Sequence, residues 1–226
     1  MISFYIIDMG TPSFVMASYC ASTTTKAVLR SYAVRRLRPS PITVIDAVLA
    51  TCAAYPDFSH VESGSGPSRR DYMATDIVGA SNPVREVITE ALDLFGGDTS
   101  VAFLLSLGTG HPGAIPIPAD GGVDPYQIMR RRLNDCEKTA QEIERQIGPV
   151  GIYFRFSVEQ GMQGSLADQA AGPGWLPAQA EAYLSDVGTS SRIDRLIGNF
   201  DAASRYITLD QLGMFSPSCS RMRLSH

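Results

Sequence analysis

Ser81-Asn82-Pro83-Val84-Arg85-Glu86-Val87-Ile88-Thr89-Glu90-Ala91-Leu92-Asp93-Leu94-Phe95-Gly96-Gly97, followed closely by Val101-Ala102-Phe103-Leu104-Leu105-Ser106-Leu107, decides the fold class. Ser81 or Asn82 can cap a helix, and Pro83 suits its first turn because the missing N–H has no helical partner there. Val84, Val87, Ile88, Ala91, Leu92 and Phe95 then form one apolar stripe, and Gly96-Gly97 stops it. The run after it is short, mostly apolar and ended by Gly108, as expected of a strand covered on both faces. A helix feeding such a strand predicts the α/β class.

The rest of the chain repeats these elements. Ser13-Phe14-Val15-Met16-Ala17-Ser18 and Gly151-Ile152-Tyr153-Phe154-Arg155-Phe156 read as further strands. Thr43-Val44-Ile45-Asp46 has the form of a capping box, predicting a helix through Ala47-Val48-Leu49-Ala50 that Pro56 ends. A third helix is expected from about Pro125 to Ile147, with Met129, Leu133, Cys136, Ala140, Ile143 and Ile147 on one face. Two short helices follow near Pro177 to Leu184 and Ser191 to Phe200, and the last twenty or so residues read as a loosely anchored tail.

A chain of 226 residues with 44% apolar content can bury a core as one domain, with an appended helical region. Its net charge of -4 argues against a nucleic-acid footprint, which needs concentrated Lys and Arg. The one tight basic cluster, Arg130-Arg131-Arg132, sits in a helical pattern beside Asp135, Glu137 and Glu142 and reads as a solvated face. Cys20, Cys52, Cys136 and Cys219 show no Cys-x-x-Cys pairing, and Cys52 and Cys136 fall on apolar helix faces, so a reduced, cytoplasmic protein is expected. The opening apolar run lacks a basic region, and nothing approaches the roughly 20 apolar residues of a membrane span.

Gly108-Thr109-Gly110-His111-Pro112-Gly113 copies a dinucleotide fingerprint after a strand. The fingerprint must open a helix whose amides hold the pyrophosphate, and Pro112, Pro116 and Pro118 forbid one. No Gly-x-Ser-x-Gly elbow occurs, and the nearest text, Glu62-Ser63-Gly64-Ser65-Gly66-Pro67, lacks the glycine offsets. With only His60 and His111 in loops and His226 terminal, a Ser-His-Asp triad is hard to assemble, and no His-Glu-x-x-His metal site occurs. No cofactor and no metal are expected.

Several segments, in order, resemble the patatin-like phospholipase family. Arg30-Ser31-Tyr32 with Thr43-Val44-Ile45-Asp46-Ala47 and Ala50-Thr51-Cys52-Ala53-Ala54 is similar to the family's Arg-Ser-Tyr strand and the helix after it. Asp76-Ile77-Val78-Gly79-Ala80-Ser81-Asn82-Pro83 resembles the turn that carries the catalytic aspartate, and Leu105-Ser106-Leu107-Gly108-Thr109-Gly110 resembles the Ser-Ile-Gly-Thr-Gly strand end. Asn134-Asp135-Cys136-Glu137-Lys138, Tyr153 to Gly161 and Ala182-Tyr183-Leu184 are similar to the fungal branch, so the resemblance covers roughly residues 13 to 200.

The resemblance implies a three-layer α/β/α domain with a mainly parallel sheet, incomplete here and followed by helices. Residues 13–118 would be its C-terminal half, 119–204 a family-typical strand and helical extension, and 205–226 a flexible tail. It implies hydrolysis of lipid acyl esters by a Ser-Asp dyad, with the serine and the oxyanion loop N-terminal to everything matched. Asp76 is the implied dyad aspartate. The glycines expected after it are Ile77 and Val78, whose β-branches resist positive φ. An alignment counted back from Asn82-Pro83 puts Thr75 at that position instead, and an acid at Asp76 also suits the start of the second helix electrostatically. Asp120-Gly121-Gly122 reads as a turn.

Three readings follow. The chain is an acyl hydrolase that needs serine and oxyanion hole from another segment, with a lipid ester as substrate and peripheral contact with a membrane. It is a non-catalytic module that binds lipid or a protein partner. Or it is a truncated product whose sheet keeps an unprotected edge.

Overall fold

The computed structural model describes residues 11–34, 42–54, 57–75, 82–110, 128–129, 135–158, 174–201 and 206–214. The chain is a mixed α/β protein that divides into two compact units. The first takes the described residues up to Leu94 and those before and including Cys136; the second takes those from Phe95 to Gly110 and from Glu137 onward.

The first unit is built on strands β1 (Phe14–Tyr19), β2 (Ser22–Arg30), β3 (Val61–Ser63) and β4 (Arg70–Met73), in the order β2-β1-β4-β3. Every pairing in this sheet is antiparallel. Because side chains alternate along a strand, β1 sends Val15, Ala17 and Tyr19 to one face and Phe14, Met16 and Ser18 to the other. Helix α1 (Val44–Cys52) covers the first face, where Ala50 joins Ala17, Ala27, Leu29 and Tyr72 in the core. Three alanines at this contact let helix and sheet backbones approach closely. Helix α2 (Val84–Phe95) covers the second face, packing Val87 against Phe14 and Met16.

Both helices are capped where the sequence predicts, but at α1 the Asp46 carboxylate accepts from the Thr43 hydroxyl and the reciprocal half of the capping box is not formed. Thr43 Oγ1 accepts from the Asp46 N–H at 3.0 Å and caps α1. The helix stops at Cys52, four residues before Pro56, where Ala53 leaves helical geometry with ψ of 61°, and the Ala53 carbonyl then accepts from the Ala74 N–H just beyond β4. Asn82 Oδ1 accepts from the Val84 N–H at 3.3 Å, and Gly96, with φ of 84°, ends α2 in the left-handed region that glycine tolerates.

The second unit holds strands β5 (Ser100–Val101), β6 (Leu104–Leu107), β7 (Tyr153–Phe156) and β8 (Ile207–Thr208). β6 and β7 pair in parallel, and β5 and β8 pair antiparallel. Helix α3 (Cys136–Ile147) buries Ala140, Ile143 and Ile147; α4 (Trp175–Ser185) and α5 (Val187–Asp201) follow, then α6 (Leu209–Gly213).

Several expectations are corrected. Only β6–β7 is parallel among the described pairings, so a mainly parallel sheet is not what the described strands form. The apolar run 101–107 is broken at Ala102 and Phe103, because β5 pairs with the distant β8 and β6 with β7. The third helix is not continuous from about Pro125: Asp135 is not helical, α3 starts at Cys136, and Met129, placed on the buried stripe by its spacing, is exposed. Where a tail is expected from 205, β8 pairs with β5 and a capping box of Thr208 with Gln211 starts α6, burying Ile207, Leu209 and Leu212. β6 also departs from a strand covered on both faces. Leu104 is buried, but Leu105 and Leu107 are 39% and 68% exposed.

Candidate functional site

Asp76, the implied dyad aspartate, lies outside the described residues, as do Ile77, Val78 and Ser81. Thr75, its rival, is described and half-buried, two residues beyond β4. Both flanks of the 76–81 stretch are anchored. Before it, the Ala74 N–H donates to the Ala53 carbonyl at 3.0 Å; after it, buried Asn82 caps α2 with Oδ1 and donates through Nδ2 to the Cys136 carbonyl at 3.0 Å.

The Arg-Ser-Tyr letters form a clamp on α2. Arg30 leaves the end of β2 and grips Glu90 bidentately, Nε to Oε2 and Nη2 to Oε1, each at 2.5 Å. The Tyr32 hydroxyl donates to Glu90 Oε2 at 3.0 Å. Ser31 ties the same turn to the start of β1: its N–H donates to the Ser13 carbonyl at 2.9 Å, and its Oγ accepts from the Ser13 N–H at 3.0 Å. Glu90 is buried, so its charge is tolerable only with these partners. Burial, then the Glu90 carboxylate, pushes the Tyr32 phenol well above the usual tyrosine range, and the bond to Glu90 raises Arg30. Neither group exchanges a proton near neutrality. The arrangement holds structure, tying α2 to the end of β2.

In the second unit the Ser-x-Gly-Thr-Gly strand end surrounds a buried arginine. Arg155 sits on β7 opposite Ser106 of β6 and donates from Nη1 to Ser106 Oγ at 2.9 Å. Its other edge faces Glu137 at the start of α3, with Nη2 to Oε1 at 2.6 Å and Nε to Oε1 at 3.2 Å. The Gly108 N–H donates to the Phe156 carbonyl at 2.8 Å, extending the parallel pairing one step past β6. A Cβ on Gly108 would meet Ser157 Oγ at 2.5 Å and both Arg155 Nη2 and Ser157 Cβ at 2.8 Å. Gly110 has φ of 112°. The two glycines therefore serve close packing and backbone conformation, and His111, Pro112 and Gly113, the rest of the fingerprint, lie outside the described residues.

This centre has unmet hydrogen-bonding capacity. The Tyr153 hydroxyl and Ser157 Oγ are buried without a hydrogen-bond partner among the described residues. Burial raises the pKa of the Tyr153 phenol and the nearby Ser106 hydroxyl offsets part of that rise, although the two do not meet in hydrogen-bonding geometry. The neighbouring backbone is tied down: Arg192 donates to the Arg155 carbonyl and lies 5.2 Å over the Phe156 ring, and the Ser157 N–H donates to the Tyr183 hydroxyl at 3.3 Å. Such a site can present the Tyr153 and Ser157 hydroxyls, while the Arg155 guanidinium is taken by Ser106 and Glu137.

A third cluster was not legible in the sequence. His60, Glu62 and Asp71 place one ligand-type atom each within 4.8 Å of one another on the β3–β4 hairpin, where Glu62 and Asp71 are cross-strand partners. Arg69 occupies this cluster, with Nη2 on Glu62 Oε1 at 2.6 Å and Nε on Asp71 Oδ1 at 3.1 Å. It relieves the like-charge repulsion of the pair, and a cation would have to compete with it. The other two histidines, His111 and His226, lie outside the described residues. Cys136 is buried and Cys52 half-buried, as their helix faces predict, while Cys20 is exposed.

No protein family, curated protein or solved structure matches the chain. Among the described residues, no helix is long and apolar enough to cross a membrane.

Proposed function

We propose that this chain is the aspartate-bearing half of a patatin-like lipid acyl hydrolase of the cytoplasm, acting on lipid esters through peripheral membrane contact. The observation that supports this best is the clamp at Arg30-Ser31-Tyr32, because each of its three family-like residues makes its own contact. The clamp holds α2, the helix that begins directly after the stretch containing Asp76. In the three-layer arrangement of that family, a sheet lies between helices, and in the first unit α1 and α2 cover opposite faces of the sheet.

On this reading Asp76 accepts the proton of a serine supplied by another segment, and amide donors on that segment stabilise the oxyanion. The chain as given has no Gly-x-Ser-x-Gly, so the elbow serine that this mechanism uses as nucleophile is not in it. Loss of even one oxyanion donor lowers rate by about 10²–10³. Alone, the chain should not hydrolyse a short-chain p-nitrophenyl ester. Extended at its N-terminus by a patatin-type segment with the serine elbow, it should, and Asp76→Ala should remove that activity. If the extended, folded protein is inert, or if a fluorophosphonate labels a single serine of the chain alone, the reading fails.

A binding module is the second reading, and the half-exposed strand β6 favours it, since Leu105 and Leu107 offer exposed apolar side chains on the face of the strand opposite Ser106 and Arg155. Lipid or protein binding by the chain, lost on Leu107→Glu and unaffected by Asp76→Ala, would select it.

A further inference from the structure

In the first unit, a cleft of about 410 Å³ opens between the β1–β2 turn and the start of β4, lined by Tyr19, Ala21, Ser22, Thr25, Arg69, Arg70 and Asp71. Its size falls within the range of small-molecule sites. Tyr19 backs it and is itself supported by Tyr72, with ring centroids 5.4 Å apart. The two arginines at its rim are not equivalent. Arg69 is neutralised by Glu62 and Asp71. Arg70 makes hydrogen bonds only through Nη1, to the carbonyls of Arg69 at 2.8 Å and Pro67 at 3.3 Å, and has no carboxylate partner among the described residues. Those carbonyls fix the direction of the guanidinium without cancelling its charge, and they leave Nε and Nη2 with no acceptor among the described residues. On the other side of the cleft, Ser22 Oγ and Thr25 Oγ1 are 2.8 Å apart. When the Ser22 hydroxyl donates to Thr25, the Thr25 hydroxyl keeps its own proton for another acceptor.

We propose that this cleft binds a phosphate group, with the free edge of Arg70 and the Thr25 hydroxyl as donors. A guanidinium edge matches two phosphate oxygens at once, and the apolar part of the lining accommodates the group that the phosphate esterifies. The phosphate can belong to a soluble ester or to a lipid headgroup; the site chemistry is common to both. The proposal does not depend on the hydrolase reading, since none of its residues belongs to the dyad or to the Ser-x-Gly-Thr-Gly strand end.

Titration calorimetry of the full chain with inorganic phosphate and glycerol 3-phosphate, alongside flotation with phosphatidylcholine vesicles with and without phosphatidic acid, tests it. Binding should weaken about tenfold or more in Arg70→Gln, the loss of one charge-assisted pair, and less in Arg70→Lys, which keeps the charge but not the fork. Thr25→Val should weaken it by a smaller factor. Saturation by the soluble phosphates identifies a free phosphate group, whereas binding only to vesicles with phosphatidic acid identifies a headgroup. Arg70 is exposed, so Arg70→Gln should melt where the parent does; if it does not, Thr25→Val and Arg70→Lys carry the test. No binding in any arm, or equal binding by parent, Arg70→Gln and Thr25→Val, overturns the proposal.

Discussion

Two arginine–carboxylate centres in this protein look alike and differ in what surrounds them. At Glu90, both carboxylate oxygens are taken by Arg30 and Tyr32, and the adjoining turn is closed by the paired Ser13 and Ser31 bonds. At Arg155, the guanidinium is held by Glu137 and Ser106, yet the hydroxyls of Tyr153 and Ser157 beside it lack a hydrogen-bond partner among the described residues. A satisfied buried network fixes one arrangement of the backbone; an under-satisfied one keeps donors available at a cost in stability. The difference separates a device that holds α2 from a place where a ligand, water or further segment has something to bind.

The largest effect should come from breaking the satisfied centre. Glu90→Ala leaves the Arg30 charge without its partner in a largely buried position and should lower the unfolding free energy by about 3–5 kcal/mol in denaturant titrations. Replacing both partners with apolar residues of similar size, Arg30→Met with Glu90→Leu, should recover most of that loss, because neither charge is then stranded. If the double variant is no better than Glu90→Ala, the clamp is more than a matched charge pair. Next in size is Gly108→Ala at the other centre, which should cost about 1–3 kcal/mol because the new methyl meets Ser157 Cβ as well as two side-chain tips. Adding Ser157→Gly removes the rigid obstacle and should restore part of the stability; an unchanged melting temperature in Gly108→Ala would mean that Ser157 moves aside freely.

These two centres were legible in the sequence to different degrees. The boundaries of α2 could be read because cap, proline, apolar stripe and glycine all agree on them. Glu90 could not be read as the target of the Arg-Ser-Tyr letters, since an acid among polar helix residues ordinarily reads as solvated. Arg155 did carry a signal: an arginine inside Ile152-Tyr153-Phe154-Arg155-Phe156 must find a partner if that run is buried, and Glu137 lies on the next helix back in sequence. Strand β2 was hidden because Thr23-Thr24-Thr25-Lys26 is polar and the turn at Cys20-Ala21 lacks the usual glycine or asparagine. Pairing of β5 with β8 joins residues over a hundred positions apart, which no local pattern encodes. The candidate aspartate was found only through the family's letters, and its immediate neighbours Ile77 and Val78 are where those letters fail.

Two tyrosines sharpen the comparison further, and one of them carries the smallest effect. Tyr32→Phe removes a hydrogen bond to a charged group and should cost about 1.5–3 kcal/mol, whereas Tyr153→Phe removes an unpartnered hydroxyl and should be neutral or slightly stabilising. Alkaline titration tests the same distinction. Both phenols are held above the ordinary tyrosine value of 10.0, Tyr32 the more strongly, in each case chiefly by burial. As pH rises past that value, the unfolded chain loses these protons while the folded chain keeps them, so the unfolded state binds fewer protons and stability falls with increasing pH. The sign follows from the raised native pKa: the contribution is fully present below about pH 10 and is lost above it. The buried Tyr72 and the raised thiol of Cys20 act in the same direction and remain in both variants. Stability measured from neutral to strongly alkaline pH should therefore fall less steeply in Tyr32→Phe than in the parent, with Tyr153→Phe between them. Equal slopes in all three proteins would mean that neither phenol keeps its proton in the folded state, and the contrast between the two centres would then rest on the hydrogen-bond geometry alone.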